Sequence, residues 1–233
     1  MATTLCGLIG CEKDDNESNG TDNGGNAYEA PAKKVKKITI GNYYELYYTW
    51  DGDMLMSITS KDDAFARMDF EYSNGKLSKI TFNESSLTYT WDGNMIATET
   101  IHGGGQNSLV SNYVYTGNKV TQITQMGRDA YSITWTGDNV NTVSYYGESI
   151  SGPITYDSNH NPLCVPCGQL YLYNSGSALQ SLIYPSWSKN NPISNPAFST
   201  ASDGSNGPIE YTYDSDGFPT TAKLGAMTLT YEY

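Results

Sequence analysis

Eight aromatic-rich strand endings, each followed by a turn, recur along this chain and restrict its fold more than any other feature. Five nearly share one wording: Tyr48-Thr49-Trp50-Asp51-Gly52, Tyr89-Thr90-Trp91-Asp92-Gly93, Ile133-Thr134-Trp135-Thr136-Gly137, Ile154-Thr155-Tyr156-Asp157 and Tyr211-Thr212-Tyr213-Asp214. Phe70-Glu71-Tyr72, Tyr113-Val114-Tyr115 and Leu229-Thr230-Tyr231 complete the set. Side chains on a strand alternate between faces, so Tyr48 and Trp50 share one face while Tyr47 and Thr49 share the other. The Asp-Gly, Asn-Gly and Gly-Asn pairs after them suit hairpin turns, which need residues tolerant of positive φ.

After each turn comes a shorter apolar strand, with Leu55 and Ile58, Leu77 and Ile80, Val120 and Ile123, and Val140 and Val143 three apart. Strict alternation forbids that spacing, and a bulge near the strand start restores it. The third motif positions fall at 50, 72, 91, 115, 135, 156, 213 and 231, about twenty residues apart except for one gap of 57. Twenty residues make two strands and two turns. Eight such units predict up to about 16 strands, more than an open sheet carries without curling. The expected fold is therefore all-β: repeated antiparallel hairpins forming a strongly curved meander or an incomplete barrel, interrupted by one long insertion over residues 160–208. Within that insertion Pro, Asn and Ser dominate, and a short helix is expected over Ser177 to Tyr184. It reads either as a binding element or as a flap over one end of the sheet.

The N-terminal part has another character. Residues 1–11 end in Leu8-Ile9-Gly10-Cys11, and Glu12-Lys13-Asp14-Asp15-Asn16 follow. Residues 12–37 form an expected flexible tether, acidic and Gly/Asn-rich at first, then basic at Lys33-Lys34-Val35-Lys36-Lys37. Such a stretch buries too little apolar surface to offset its ordering entropy. Residues 38–233 form the expected single domain.

Two resemblances follow from these residues. Tyr211-Thr212-Tyr213-Asp214-Ser215-Asp216-Gly217, followed by an apolar strand, resembles the YD repeat of RHS proteins. The whole arrangement, including Ser188-Lys189-Asn190-Asn191-Pro192 and the Asp216-Gly217-Phe218-Pro219 turn, is more similar to Bacteroidetes surface lipoproteins of the DUF4595 type, a domain of unknown function. The leader is similar to that of a bacterial lipoprotein, with Cys11 the residue to be lipidated and the acidic tract behind it a surface-export signal. The resemblance implies an exported, outer-membrane, surface-exposed protein anchored by lipid. It implies no catalytic residues. The missing basic start implies a leader that is truncated in this chain.

The formal charge of −12 opposes nucleic-acid binding, which needs a basic surface. Cys164 and Cys167 form a lone CxxC, read as a local disulfide or as two thiols. His160 precedes them, but a zinc site would need further ligands, so no metal and no cofactor is expected. Asp51, Asp92, Asp157 and Asp214 read as turn residues that bond backbone amides. Asp214-Ser215-Asp216 resembles only a fragment of a calcium loop. His102 lies beside a Gly-rich hairpin loop with no nucleophile elbow nearby. The sequence therefore points away from an enzyme and toward a monomer that binds a glycan or a surface protein, with a structural or interaction scaffold as the alternative and a glycan hydrolase as the third reading. Trp50, Trp91 and Trp135 recur in register and are expected in one packed stripe. Trp187 and Tyr184 lie in the insertion, outside the repeat, and are the candidate ligand-contact residues.

Overall fold

The computed structural model describes residues 32–42, 44–61, 67–82, 85–103, 108–163, 187–194 and 208–233. The expected short helix, Tyr184, Cys11, Cys164 and Cys167 lie outside them. The chain forms β1 (Lys37–Ile40), β2 (Tyr44–Asp51), β3 (Met54–Ser60), β4 (Met68–Ser73), β5 (Lys76–Phe82) and β6 (Ser85–Asp92). It continues through β7 (Met95–His102), β8 (Leu109–Thr116), β9 (Lys119–Gln125), β10 (Arg128–Thr136), β11 (Asn139–Tyr145) and β12 (Glu148–Ser151). Last come β13 (Thr155–His160), β14 (Asn190–Ser194), β15 (Glu210–Tyr213), β16 (Pro219–Leu224) and β17 (Met227–Glu232).

Fifteen strands make one antiparallel sheet that runs as a meander from β12 back to β1, then through β17 and β16 to β15. Strands β13 and β14 form a separate pair. Laid flat, fifteen strands would span roughly 70 Å. Yet both ends of the sheet meet the same β13–β14 pair. On one side Ile154 N–H donates to Asn141 O at 2.9 Å and Lys189 N–H to Asp138 O at 3.2 Å. On the other, Ile209 N–H donates to Ile193 O at 2.8 Å and His160 N–H to Gly217 O at 3.2 Å. The sheet is thus a curved meander, with no continuous ladder closing it into a complete barrel.

The curvature has a local cause in the repeat. Inside each hairpin the pairing runs to the turn, as from Leu46↔Ser60 to Asp51↔Met54. Between hairpins it stops halfway, at Ser57↔Asp69, Lys79↔Thr88, Thr98↔Asn112 and Gln122↔Ser132. The strands splay at the repeat-turn end, and an aromatic ring fills each wedge. Its polar tip then bonds the neighbouring hairpin: Trp50, Trp91 and Trp135 donate Nε1–H to the carbonyls of Val35, Leu77 and Val120 at 2.7–2.9 Å. Tyr72, Tyr115 and Tyr156 donate their hydroxyls to the carbonyls of Leu55, Ile96 and Val140 at 2.7–3.0 Å. Tyr211 and Tyr233 do the same to Pro192 and Pro219. The stripe of tryptophans is therefore a ring of side-chain rungs. Its last two donors are Tyr211 and Tyr233, two residues from the Tyr213 and Tyr231 that the sequence spacing selects.

The bulge expected from the apolar spacing is present in every such hairpin. Thr49 pairs with Ser57 and Trp50 with Leu55, which leaves Met56 as the extra residue. The same shift recurs at Glu71/Tyr72, Thr90/Trp91, Val114/Tyr115 and Thr134/Trp135. It turns Leu55 and Ile58 to the same buried face. The residue just before each bulge supplies the rung's acceptor carbonyl, so the interruption and the aromatic donor work as one device.

Packed structure extends N-terminal of residue 38. Val35 has 0 % exposure and accepts the Trp50 rung. Lys34 pairs with Asp53 in the next turn at 2.7 Å, and Lys33 pairs with Asp214. Lys34-Val35 stands where Lys76-Leu77 and Lys119-Val120 stand in later units, whose lysines also reach the next turn, at Gly93 O and Gly137 O. The basic run is thus the opening strand start of the first unit.

Candidate functional site

The β13–β14 pair is where the molecule departs from its repeat, and polar side chains hold it in place. Asn139 and Asn190 exchange two bonds, Nδ2–H to Oδ1 at 2.9 Å and Asn190 N–H to Asn139 Oδ1 at 3.0 Å. Ser188 Oγ accepts from Val140 N–H at 3.0 Å. Toward β15 the hub is Asp157, whose carboxylate accepts the amides of Asn159 and Asn191 and the hydroxyl of Tyr213. Burial, followed by the Asp157 carboxylate, pushes the Tyr213 hydroxyl well above its ordinary pKa.

Beside this seam, His160 stacks on Phe218 at 4.8 Å between ring centroids. Lys33 lies over the ring of Tyr233 at 5.1 Å and pairs with Asp214 and Asp216. Asp214 also accepts the backbone amides of Asp216 and Phe218 within its own turn. Lys33 first, then the Phe218 amide, holds its carboxyl below the ordinary range. His102 bridges Thr88 and Ser108 through its two ring nitrogens at 2.9 and 3.0 Å. These acid–base candidates each bind the fold to itself. Among the described residues no group of three or more His, Cys, Asp or Glu could hold a metal ion.

Trp187 is half-buried and packs against the apolar cluster built around Ile123, Ile133, Val140 and Val143. Five residues on, Pro192 supplies a rung acceptor, the same interval that separates Trp50 from Leu55. Its position is therefore repeat-like, in a part of the sequence where the motif wording is lost.

Sequence reasoning overlooked a polar row on the buried face. Glu99 has 0 % exposure and sits in register with Tyr89 and Ser111, and Ser111 with Gln125. Tyr113 donates its hydroxyl to Glu99 Oε2 at 3.4 Å, and Gln125 Nε2 donates to Ser111 Oγ at 3.0 Å. The row lies between the two apolar clusters of the sheet. The available signal was a carboxylate at an inward position of β7, two residues from Ile101 in an alternating strand.

On the outer face of β2, Glu45 accepts from Tyr47 at 2.7 Å and pairs with Lys37 at 3.0 Å and Lys61 at 3.2 Å. Tyr47 first, then the two lysines, lowers the Glu45 carboxyl to about 2 from its ordinary 4.5. A depressed folded value means a stabilising contribution that is present above pH 4.5 and lost as pH falls to about 2. Acid titration of Glu45→Gln is expected to show a shallower loss of stability in that window than the parent protein. Equal slopes would mean the network contributes nothing.

No protein-family model and no curated protein matches this chain.

Proposed function

We propose that the chain is a non-catalytic surface lipoprotein, anchored at the outer membrane through Cys11, whose curved sheet is a rigid scaffold for a protein partner. The observation that carries this reading is how the chemically versatile side chains are used. The aromatic tips serve as rungs, while His102, Asp157 and Asp214 serve as structural ties through their polar atoms. A catalytic group must instead keep an atom free for substrate.

Glycan binding is the second reading. Packing of Trp187 against the core weakens it there, since stacking on a sugar needs an open ring face. Tyr47 is its remaining candidate: the residue is 37 % exposed beside the Glu45–Lys37 pair, with Lys37 Nζ over its ring at 5.9 Å from the centroid.

The deciding experiment is a broad glycan array with residues 32–233, run beside Tyr47→Ala and Trp187→Ala proteins verified as folded. No binding is expected. Binding lost in either variant would replace the protein-partner reading with a carbohydrate-binding one.

A further inference from the structure

The turn between β15 and β16 holds a positive charge, and neither half of that contact is required by the repeat. Because Lys34-Val35 stands where Lys76-Leu77 and Lys119-Val120 stand, Lys33 falls where Gly75 and Asn118 stand, at turn positions without a lysine. The turn it reaches, Asp214 to Phe218, is also longer than the two-residue turns Gly52-Asp53 and Gly93-Asn94 of earlier units.

The walls of this site are fixed by contacts that do not involve Lys33. Asp214 Oδ1 accepts the amides of Asp216 at 2.9 Å and Phe218 at 3.0 Å, while its Oδ2 takes the Lys33 ammonium. Asp216 Oδ2 stands 3.4 Å from the same nitrogen. The ring centroids of Tyr233 and Phe218 lie 5.1 and 5.9 Å from it. His160 stacks on Phe218, Phe218 meets Tyr233 edge-on at 5.8 Å, and Tyr233 donates its hydroxyl to Pro219 O at 2.8 Å. Two carboxylates and two aromatic rings around one ammonium form a cation cage. The occupant is held less firmly than the walls. Lys33 lies three residues before the Lys36 N–H that bonds Glu232 O, and its side chain is 34 % exposed. Buried Val35 and the Lys34–Asp53 pair keep the segment seated when the Lys33 side chain swings out.

We propose that this cage is a binding site for a lysine side chain of a protein partner, with Lys33 as its built-in competitor. The inference rests on the protein-partner reading above and names the partner's contacting group. The group seated in the cage is itself a lysine carried on a polypeptide, which sets both its size and its charge. Both carboxylates accept N–H bonds, so a primary ammonium is selected over a quaternary one. A molecule with a formal charge of −12 also draws a basic surface toward it. A lysine on the same chain has an effective concentration on the order of millimolar, so it keeps out weak ligands and yields to a partner that adds contacts of its own.

The test titrates an N-acetylated Gly-Lys-Gly amide into the full chain while the ring resonances of Phe218 and Tyr233 are followed by NMR. Lys33→Gln is expected to bind the peptide saturably and roughly tenfold more tightly than the parent protein, and adding Asp216→Asn should abolish binding. The peptide acetylated on its lysine, and tetramethylammonium, should not bind. A folded Lys33→Gln protein with no saturable shift would overturn the site, as would equal binding by parent and variant or by the acetylated peptide or tetramethylammonium. A second measurement leaves Lys33 in place: a photo-cross-linking amino acid at Ser215, or at Asn118 in the β8–β9 turn, in the full chain on intact cells. A discrete protein adduct is expected at Ser215 and should be lost when Asp216→Asn is added. An adduct at Asn118 alone, or one at Ser215 that survives Asp216→Asn, would overturn the cage and leave the protein-partner reading standing. No protein adduct at either position would overturn both.

Discussion

Replacing Val35 by aspartate is expected to destabilise the domain by roughly 3–5 kcal/mol, since it places an unpaired charge at a fully buried position. Val35→Ala should cost less, about 1–3 kcal/mol, through lost apolar burial. The size of the first effect follows from three contacts made by a short segment. Val35 is fully buried in the apolar cluster that also holds Ile38 and Leu55, its carbonyl takes the Trp50 rung, and Lys33 and Lys34 tie the same segment to Asp214 and Asp53. Because Lys33 joins the first unit to the β15–β16 turn, the segment also helps hold the two halves of the meander together. A chain starting at residue 38 is accordingly expected to melt well below one starting at residue 32. Equal melting temperatures would show that the basic run is only a tether. For a domain of this size each 1 kcal/mol corresponds to about 2–4 °C, so the difference is easily measured by calorimetry or circular dichroism.

Trp91 gives the second large effect, and its pattern across substitutions is more informative than its size. Trp91→Ala should cost about 3 kcal/mol, near the lower end for removing a large aromatic, because the ring is only half-buried. Trp91→Phe keeps most of the wedge and removes the Nε1–H donor, leaving the Leu77 carbonyl without its partner. About 1–2 kcal/mol of loss is expected. Trp91→Tyr should lie within about 1 kcal/mol of the parent, since Tyr72, Tyr115 and Tyr156 make the same rung with a hydroxyl. Urea unfolding of the three variants separates wedge from hydrogen bond. If Phe and Tyr prove equally stable, the rung bond contributes nothing and the ring acts by volume alone.

The rungs also explain why the sequence was so readable here. A wedge ring with a donor at its tip can only be Trp or Tyr, so each unit had to repeat that choice, with a turn directly behind it. Once the bulge required two apolar residues three apart, the period of about twenty and the all-β class followed. The final units blur because Tyr211, Tyr213, Tyr231 and Tyr233 offer two candidate rings each, and only packing selects Tyr211 and Tyr233 as donors. Likewise Trp187 carries no motif wording around it, and its repeat-like place against the second cluster emerges only once Pro192 is seen to accept a rung.

The amino-acid sequence by itself determined the strands, bulges and turns of the repeated hairpins and the need to curl, because those depend on neighbours within a few residues; β14, inside the expected insertion over 160–208, was not legible as a strand. It could not determine which distant segments meet. That Val35 is core, that β13 and β14 bridge the two ends of the sheet, that Glu99 lies in a buried row and that Lys33 meets the β15–β16 turn were decided by tertiary structure alone. Each depends on how the splay of successive hairpins accumulates around the sheet, and no local stretch of sequence encodes that total.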